Sequence, residues 1–223
     1  MIEAHKTPTR LRIDFVSDVV CPWCAIGLAS LEQALERTRG EVEAGIHFQP
    51  FELNPQLGPE GEDMLEHLQE KYGMSAAQVA ENQEAIRRRG AELGFTFDMD
   101  RRRRTWNTFD AHRLLHWAEL EGRGRQLKHA LLRAHFTDGR NVSDHATLVE
   151  LAASAGLPAA GARAILDSDT YAGEVRTVEQ FFLQQGIQGV PAVIIERRHL
   201  ISGGQPVEVF EQALRQIAST TLA

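Results

Sequence analysis

The chain has 223 residues, 43% of them hydrophobic, and a formal charge of −7 from 24 basic and 31 acidic side chains. That is apolar material for one substantial core, alone or carrying an insertion, and the wrong sign of charge for a general nucleic-acid binder. Met1–Arg10 is polar and no apolar run reaches the ~20 residues of a membrane span, so a cytoplasmic protein without membrane partners is expected.

In chain order, Leu11–Val16 alternates as a strand, and Leu28, Leu31 and Leu35 recur at helical spacing. Between them lies Cys21-Pro22-Trp23-Cys24, holding both cysteines of the chain. Gly45–Leu53 alternates as a second strand, ended by Asn54-Pro55, and this strand–helix–strand unit favours a parallel sheet. A helical stretch follows from Gly61. Leu65, Leu68 and Tyr72 share a face stopped by Gly73, and Ser75–Gln78 forms a capping box for a helix running to Leu93. Trp106–Leu120 reads as a helix burying Phe109, His116 or Trp117, and Leu120. Leu127, Leu131 and Ala134 mark the next, and Ser143 caps a segment carrying Leu148 and Leu151. A short helix follows Pro158, and Val175, Val178 and Phe182 stripe another, ending at Gly186. Strand character returns in Ala192–Ile195, with a turn at Arg197-Arg198 into Leu200-Ile201 and a final helix opened by Pro206. Residues 1–55 and 171–223 are each too small to fold alone, so they are expected to share one sheet, with 56–170 as an all-helical insertion into an α/β domain.

A CxxC at a strand-to-helix junction puts its first sulfur at a helix N-terminus, where the macrodipole and free N–H groups favour a thiolate. The second sulfur can attack any mixed disulfide formed by the first. Other uses of the pair are weaker. A zinc site would have to recruit His112 and His116, with no second CxxC available. A structural disulfide would close too small a loop to stabilise much. Gly189-Val190-Pro191 enters the later strand where proline is awkward for ladder bonding, marking an edge, a turn or a cis bond. The basic runs Arg87–Arg89 and Arg101–Arg104 read as solvated faces before they read as anion patches.

With Asp18–Cys24 and Gly27, Pro50–Pro55, Asn107–Leu115, Gly189–Pro191 and Ser202–Pro206 together, the chain resembles the DsbA-like thioredoxin-fold oxidoreductases of the FrnE-type branch. The resemblance implies a thioredoxin fold interrupted by a helical insertion, with Val190-Pro191 cis and lying against the dithiol. It implies Cys21 as nucleophile, Cys24 as resolving thiol, and Pro22 and Trp23 shaping the exposed turn. Asn54 and Asn107 align with polar positions near the site and are candidate substrate contacts beside their ordinary use in turns. Arg113 is a candidate for holding a carboxylate such as glutathione's, against the default of an exposed helix arginine. Asp18 is a candidate to tune the motif or merely to cap a turn. Trp23 replaces the histidine of periplasmic DsbA, which implies a less oxidising couple. Protein or small-molecule thiols and disulfides are the implied substrates, with a recycling reductant or oxidant. The chemistry requires no metal or organic cofactor, although glutathione can serve as co-substrate. The helical insertion offers a surface for a homodimer. Relatives of the same fold with serine at the first cysteine are glutathione-dependent isomerases and kappa-class transferases, so that activity stays open, as does a holdase role.

Overall fold

Strand β1 (Thr9–Ser17) is the spine of the computed structural model, which describes residues 7–221. The reading of a leaderless terminus over Met1–Lys6 lies outside the described residues. Helix α1 (Pro22–Arg37) crosses over to β2 (Val42–Pro50), which pairs parallel with β1, Phe15 standing opposite Phe48. After the helical stretch, β5 (Ala192–Ile195) pairs antiparallel with the other side of β1, and β6 (His199–Ser202) extends the sheet in the order β2-β1-β5-β6. The two ends of the chain therefore share one sheet, as their size requires.

The intervening elements are β3 (Glu62–Asp63), α2 (Met64–Tyr72), α3 (Ala76–Glu92), β4 (Arg104–Thr105), α4 (Phe109–Leu120), α5 (Gly124–Phe136), α6 (His145–Ser154), α7 (Ala159–Leu166) and α8 (Ala172–Gln184). Helix α9 (Val207–Thr221) closes the chain. Alternation along β1 sends Leu11, Ile13 and Phe15 to a core shared with α1 and α9, and Val16 to the opposite face against Phe182 of α8. The insertion is not walled off from this core. Ile86 of α3 and Leu132 and Phe136 of α5 pack into it, while Val19 and Val20, just before the CxxC, belong to the core of α4–α7. The CxxC thus sits where two cores meet.

Several expectations need correction. Helix α2 turns Met64 and His67 inward, leaving Leu65 and Tyr72 exposed, because the ribbon of β3 with β4 fixes its first turn from the other side. That ribbon is only two residues long on each strand, too short for a periodic signal. Helix α4 starts at Phe109, because Asn107 Oδ1 accepts the Phe109 N–H at 2.9 Å and holds Trp106 outside. Leu120, expected in the core, is exposed at the helix end. Asp144 caps α6, its carboxylate accepting the Thr147 N–H at 2.8 Å, where Ser143 was expected to do so. Pro206 precedes the first turn of α9 by one residue. The β5–β6 turn centres on Glu196-Arg197, both at positive φ as an I′-type hairpin requires, one residue before Arg197-Arg198. Among the described residues no helix is long and apolar enough to cross a membrane.

Candidate active site

Cys21 is the N-cap of α1, in extended backbone conformation, and Pro22 follows in the first turn, where its fixed φ fits and its missing N–H costs nothing. The Cys24 and Ala25 N–H groups both donate to the Cys21 carbonyl, at 3.1 and 3.3 Å, which holds the first sulfur at the helix mouth. Both thiols are free, Cys21 with 4% of its surface exposed and Cys24 with none. The Cys24 thiol hydrogen-bonds the Cys21 sulfur and lowers the Cys21 pKa, helped by the Cys24 and Trp23 N–H groups against burial and the charge of Asp18. Cys24 moves the opposite way. Burial first, then Cys21, holds it well above the ordinary thiol value. The two sulfurs are thus biased in opposite directions, the first toward thiolate and the second toward thiol.

The Val190-Pro191 peptide is cis. It places the Val190 carbonyl 3.6 Å from Cys21 Sγ. Two glycines let this loop and the one after β6 close down on α1. A Cβ on Gly27 would stand 3.0 Å from Pro191 Cγ, and one on Gly204 would stand 2.9 Å from the Trp23 carbonyl oxygen. The Gly203 N–H binds the Pro191 carbonyl at 2.8 Å and ties the two loops together. Trp23 remains 40% exposed at the rim, offering an indole face beside the sulfur.

Beneath the motif lies a charged cluster that sequence reasoning barely touched. Asp18 is fully buried, with Oδ1 accepting the Val19 N–H at 2.6 Å and Oδ2 the Leu53 N–H at 2.8 Å. His112 Nε2 stands 3.4 Å from Asp18 Oδ1, an ion-pair separation outside hydrogen-bond geometry. Burial works to raise the Asp18 pKa, and His112, the Leu53 N–H and Lys128 outweigh it, leaving a carboxylate below its usual range. Lys128 of α5 is entirely enclosed, and burial lowers its pKa against the opposing pull of Cys24, Asp18, Cys21 and Glu119. Arg102 is buried too, donating to His135 Nε2 at 3.2 Å and lying over the Phe136 ring at 4.9 Å. Burial brings its pKa down to about 10, opposed by the negative charge of Cys21. The arginine run 101–104 is therefore not one solvated face, because its second member is drawn inward beneath the motif. Arg87 and Arg88 are exposed as expected.

The other sequence candidates separate. Asn54 is buried, and its Oδ1 accepts from Lys71 Nζ at 2.5 Å, while the same ammonium holds the Leu53 carbonyl at 2.7 Å. Tyr72, next along α2, has its phenol pKa raised by partial burial and by the charge of Cys21. Asn107 is occupied structurally, donating to the Leu57 carbonyl at 3.2 Å while starting α4. Arg113 is neither exposed nor free. Its guanidinium pairs with Asp110 at 2.7 Å and donates to the carbonyls of Thr170, Ile165 and Ser168, so it bolts α4 to the end of α7. His116 lies against the Tyr171 ring, 5.0 Å between centroids, apart from the Asp18 pairing of His112. The missed residues did leave a signal. Lys128, Leu131, Leu132 and His135 share one helical face at i, i+3, i+4 and i+7, and that face is buried.

Residues 12–215 match the model of the DsbA-like thioredoxin domain family. A probable DsbA oxidoreductase from Streptomyces coelicolor has a crystal structure that superposes with a TM-score of 0.86 at 40% identity, covering 94% of this chain and 90% of that one. The uncharacterized protein YwbO of Bacillus subtilis is 27% identical over 92% of this chain and 96% of its own length. The cytosolic disulfide reductase DsbM of Pseudomonas aeruginosa, with GSH, shares the fold at a TM-score of 0.60 and 19% identity, over 95% of this chain and 98% of that one. A reactive-thiol geometry at a helix mouth and a match spanning nearly the whole chain lead to one conclusion: the protein belongs to the DsbA-like thioredoxin-domain family of thiol oxidoreductases.

Proposed function

We propose that the protein is a dithiol–disulfide oxidoreductase in which Cys21 attacks and Cys24 resolves. The observation that carries this reading is a free thiol at the mouth of α1, 3.6 Å from the Val190 carbonyl, with a second free and fully buried thiol three residues behind it. The Cys21 thiolate attacks one sulfur of a substrate disulfide. A Cys21–substrate disulfide forms and the other sulfur leaves as a thiolate. Deprotonated Cys24 then attacks Cys21, forming the Cys21–Cys24 disulfide and releasing the second substrate thiolate. Run backwards, the oxidised enzyme introduces a disulfide, and isomerisation uses the first step and its reversal alone.

The substrate in this reading is a protein or small-molecule disulfide laid against Trp23 and the Val190 carbonyl. The dithiol is the only redox group the steps use. Glutathione or another low-molecular-weight thiol serves as the recycling reductant in a cytoplasmic setting, in keeping with the glutathione carried by the DsbM structure. Reduction of insulin disulfides by purified protein with glutathione is the test. Turnover is expected in the wild type and absent in Cys21→Ser. Equal turnover in Cys21→Ser would remove the assignment of the nucleophile.

A further inference from the structure

Resolution of a mixed disulfide requires Cys24 to lose a proton, yet Cys24 is completely buried. Its proton acceptor must therefore lie inside the protein. Two ionisable side chains other than the sulfurs are wholly enclosed near it, Asp18 and Lys128. Asp18 is poorly suited. Its two oxygens hold the Val19 and Leu53 N–H groups and face His112, and protonation would forfeit these charge-assisted contacts. Lys128 is in the reverse position. Its Nζ is entirely enclosed with no hydrogen-bond partner, and burial without a partner favours a neutral amine.

We propose that Lys128, supplied by the helical insertion, is the internal proton acceptor for Cys24. The proposal rests on the dithiol-exchange reading above. The neutral amine takes the thiol proton, leaving a Cys24 thiolate beside an ammonium. The thiolate's electron pair forms the bond to Cys21, and the Cys21–substrate S–S bond breaks with its pair leaving on the substrate sulfur. Once the Cys21–Cys24 disulfide has formed, the ammonium has lost its counter-anion and gives up the proton to solvent or to the departing thiolate. The charged groups around Lys128 are consistent with this cycle. Cys24 and Cys21 face it from α1, Asp18 from the turn before α1, and Glu119 from α4. A cavity of about 190 Å³ bordered by Lys128, His112, His116, His47 and Glu119 reaches the surface at exposed Leu120, giving the proton a polar route outward.

The two sulfur steps can be timed separately with an aromatic disulfide reagent. Attack by Cys21 releases one aromatic thiolate, and resolution by Cys24 releases the second. In Lys128→Met the first release is expected within twofold of wild type. The second should slow at least about tenfold at pH 7 and rise about tenfold per pH unit as hydroxide replaces the amine. A folded variant with the second release unchanged in rate and pH profile overturns the proposal. Absence of the second release in the wild type would instead overturn the dithiol reading itself. Should Lys128→Met fail to fold, wild-type protein carrying ¹⁵N-lysine decides the matter. The Lys128 Nζ is expected to titrate below the ordinary lysine range, and lower in the oxidised protein than in the reduced one. Titration at the ordinary lysine value in both redox states overturns the proposal.

Discussion

Cys21 and Cys24 differ by three positions in sequence and by a large margin in chemistry. The motif's place at the mouth of α1 was legible in the sequence, because a strand–CxxC–helix pattern puts the first cysteine at the N-cap, where a thiolate is favoured. The largest influence was not legible: the hydrogen bond from the Cys24 thiol depends on how the first turn closes. Limiting iodoacetamide at pH 7 should label Cys21 at least about tenfold faster than Cys24, read by mass spectrometry of tryptic peptides. Comparable labelling of the two would deny the asymmetry. His135 gives a second test, of stability. It is buried beside Arg102, and burial first, then that positive charge, pushes its pKa well below the ordinary value. Its folded pKa is depressed, so the unfolded chain binds a proton that the folded chain refuses. The stability this represents is complete above pH 6.5 and falls as the pH drops below it, by up to about 1.4 kcal/mol per pH unit. Denaturant titrations from pH 7.5 to 5 should show that slope reduced in His135→Asn. An identical slope in both proteins would show that another group is responsible.

At the scale of elements, long periodic segments announced themselves and short ones did not. The capping box at Ser75 appears as read, with the Ser75 N–H donating to Gln78 Oε1 at 2.9 Å. The β3–β4 ribbon and the inward face of α2 were invisible, since pairing between distant dipeptides leaves no pattern within either. The approach of the Pro191 and Gly204 loops to α1 is likewise a tertiary fact, although glycine at 27 and 204 is its local permission. Gly204→Ala should push the Ser202–Pro206 loop off Trp23. The overpacking is expected to cost about 1–3 kcal/mol and to lower turnover on protein disulfides several-fold, with Cys21 alkylation left near wild type. Unchanged turnover would mean that the loop does not shape the substrate groove.

For the whole molecule, the insertion is part of the site as well as an addition to the fold. Its α5 carries Lys128 and, with Arg102, places two buried basic side chains near the sulfurs, while Val19 and Val20 anchor the motif's approach in the insertion's own core. Shared cores of this kind blur the boundaries drawn from sequence at 55 and 171, because composition reports elements and says nothing of what they pack against. Arg113 shows the same limit. As a residue on a helix it looked exposed and available, and it is in fact the clamp between α4 and the α7–α8 connection. Arg113→Met should lower stability by about 1–3 kcal/mol, because half-buried Asp110 and three carbonyls lose their donor. Glutathione affinity, measured by calorimetry, should not change. A folded variant that loses glutathione binding would restore the carboxylate-holding role.

The central claim is that the two cysteines form one reversible two-electron couple. Equilibrating the protein in glutathione redox buffers and counting the species by mass after acid quenching tests it directly. The account predicts an intramolecular Cys21–Cys24 disulfide that interconverts with the dithiol along a two-electron curve, about 30 mV per tenfold change in ratio. Accumulation of a stable Cys21–glutathione adduct, with no intramolecular disulfide at any potential, would contradict it.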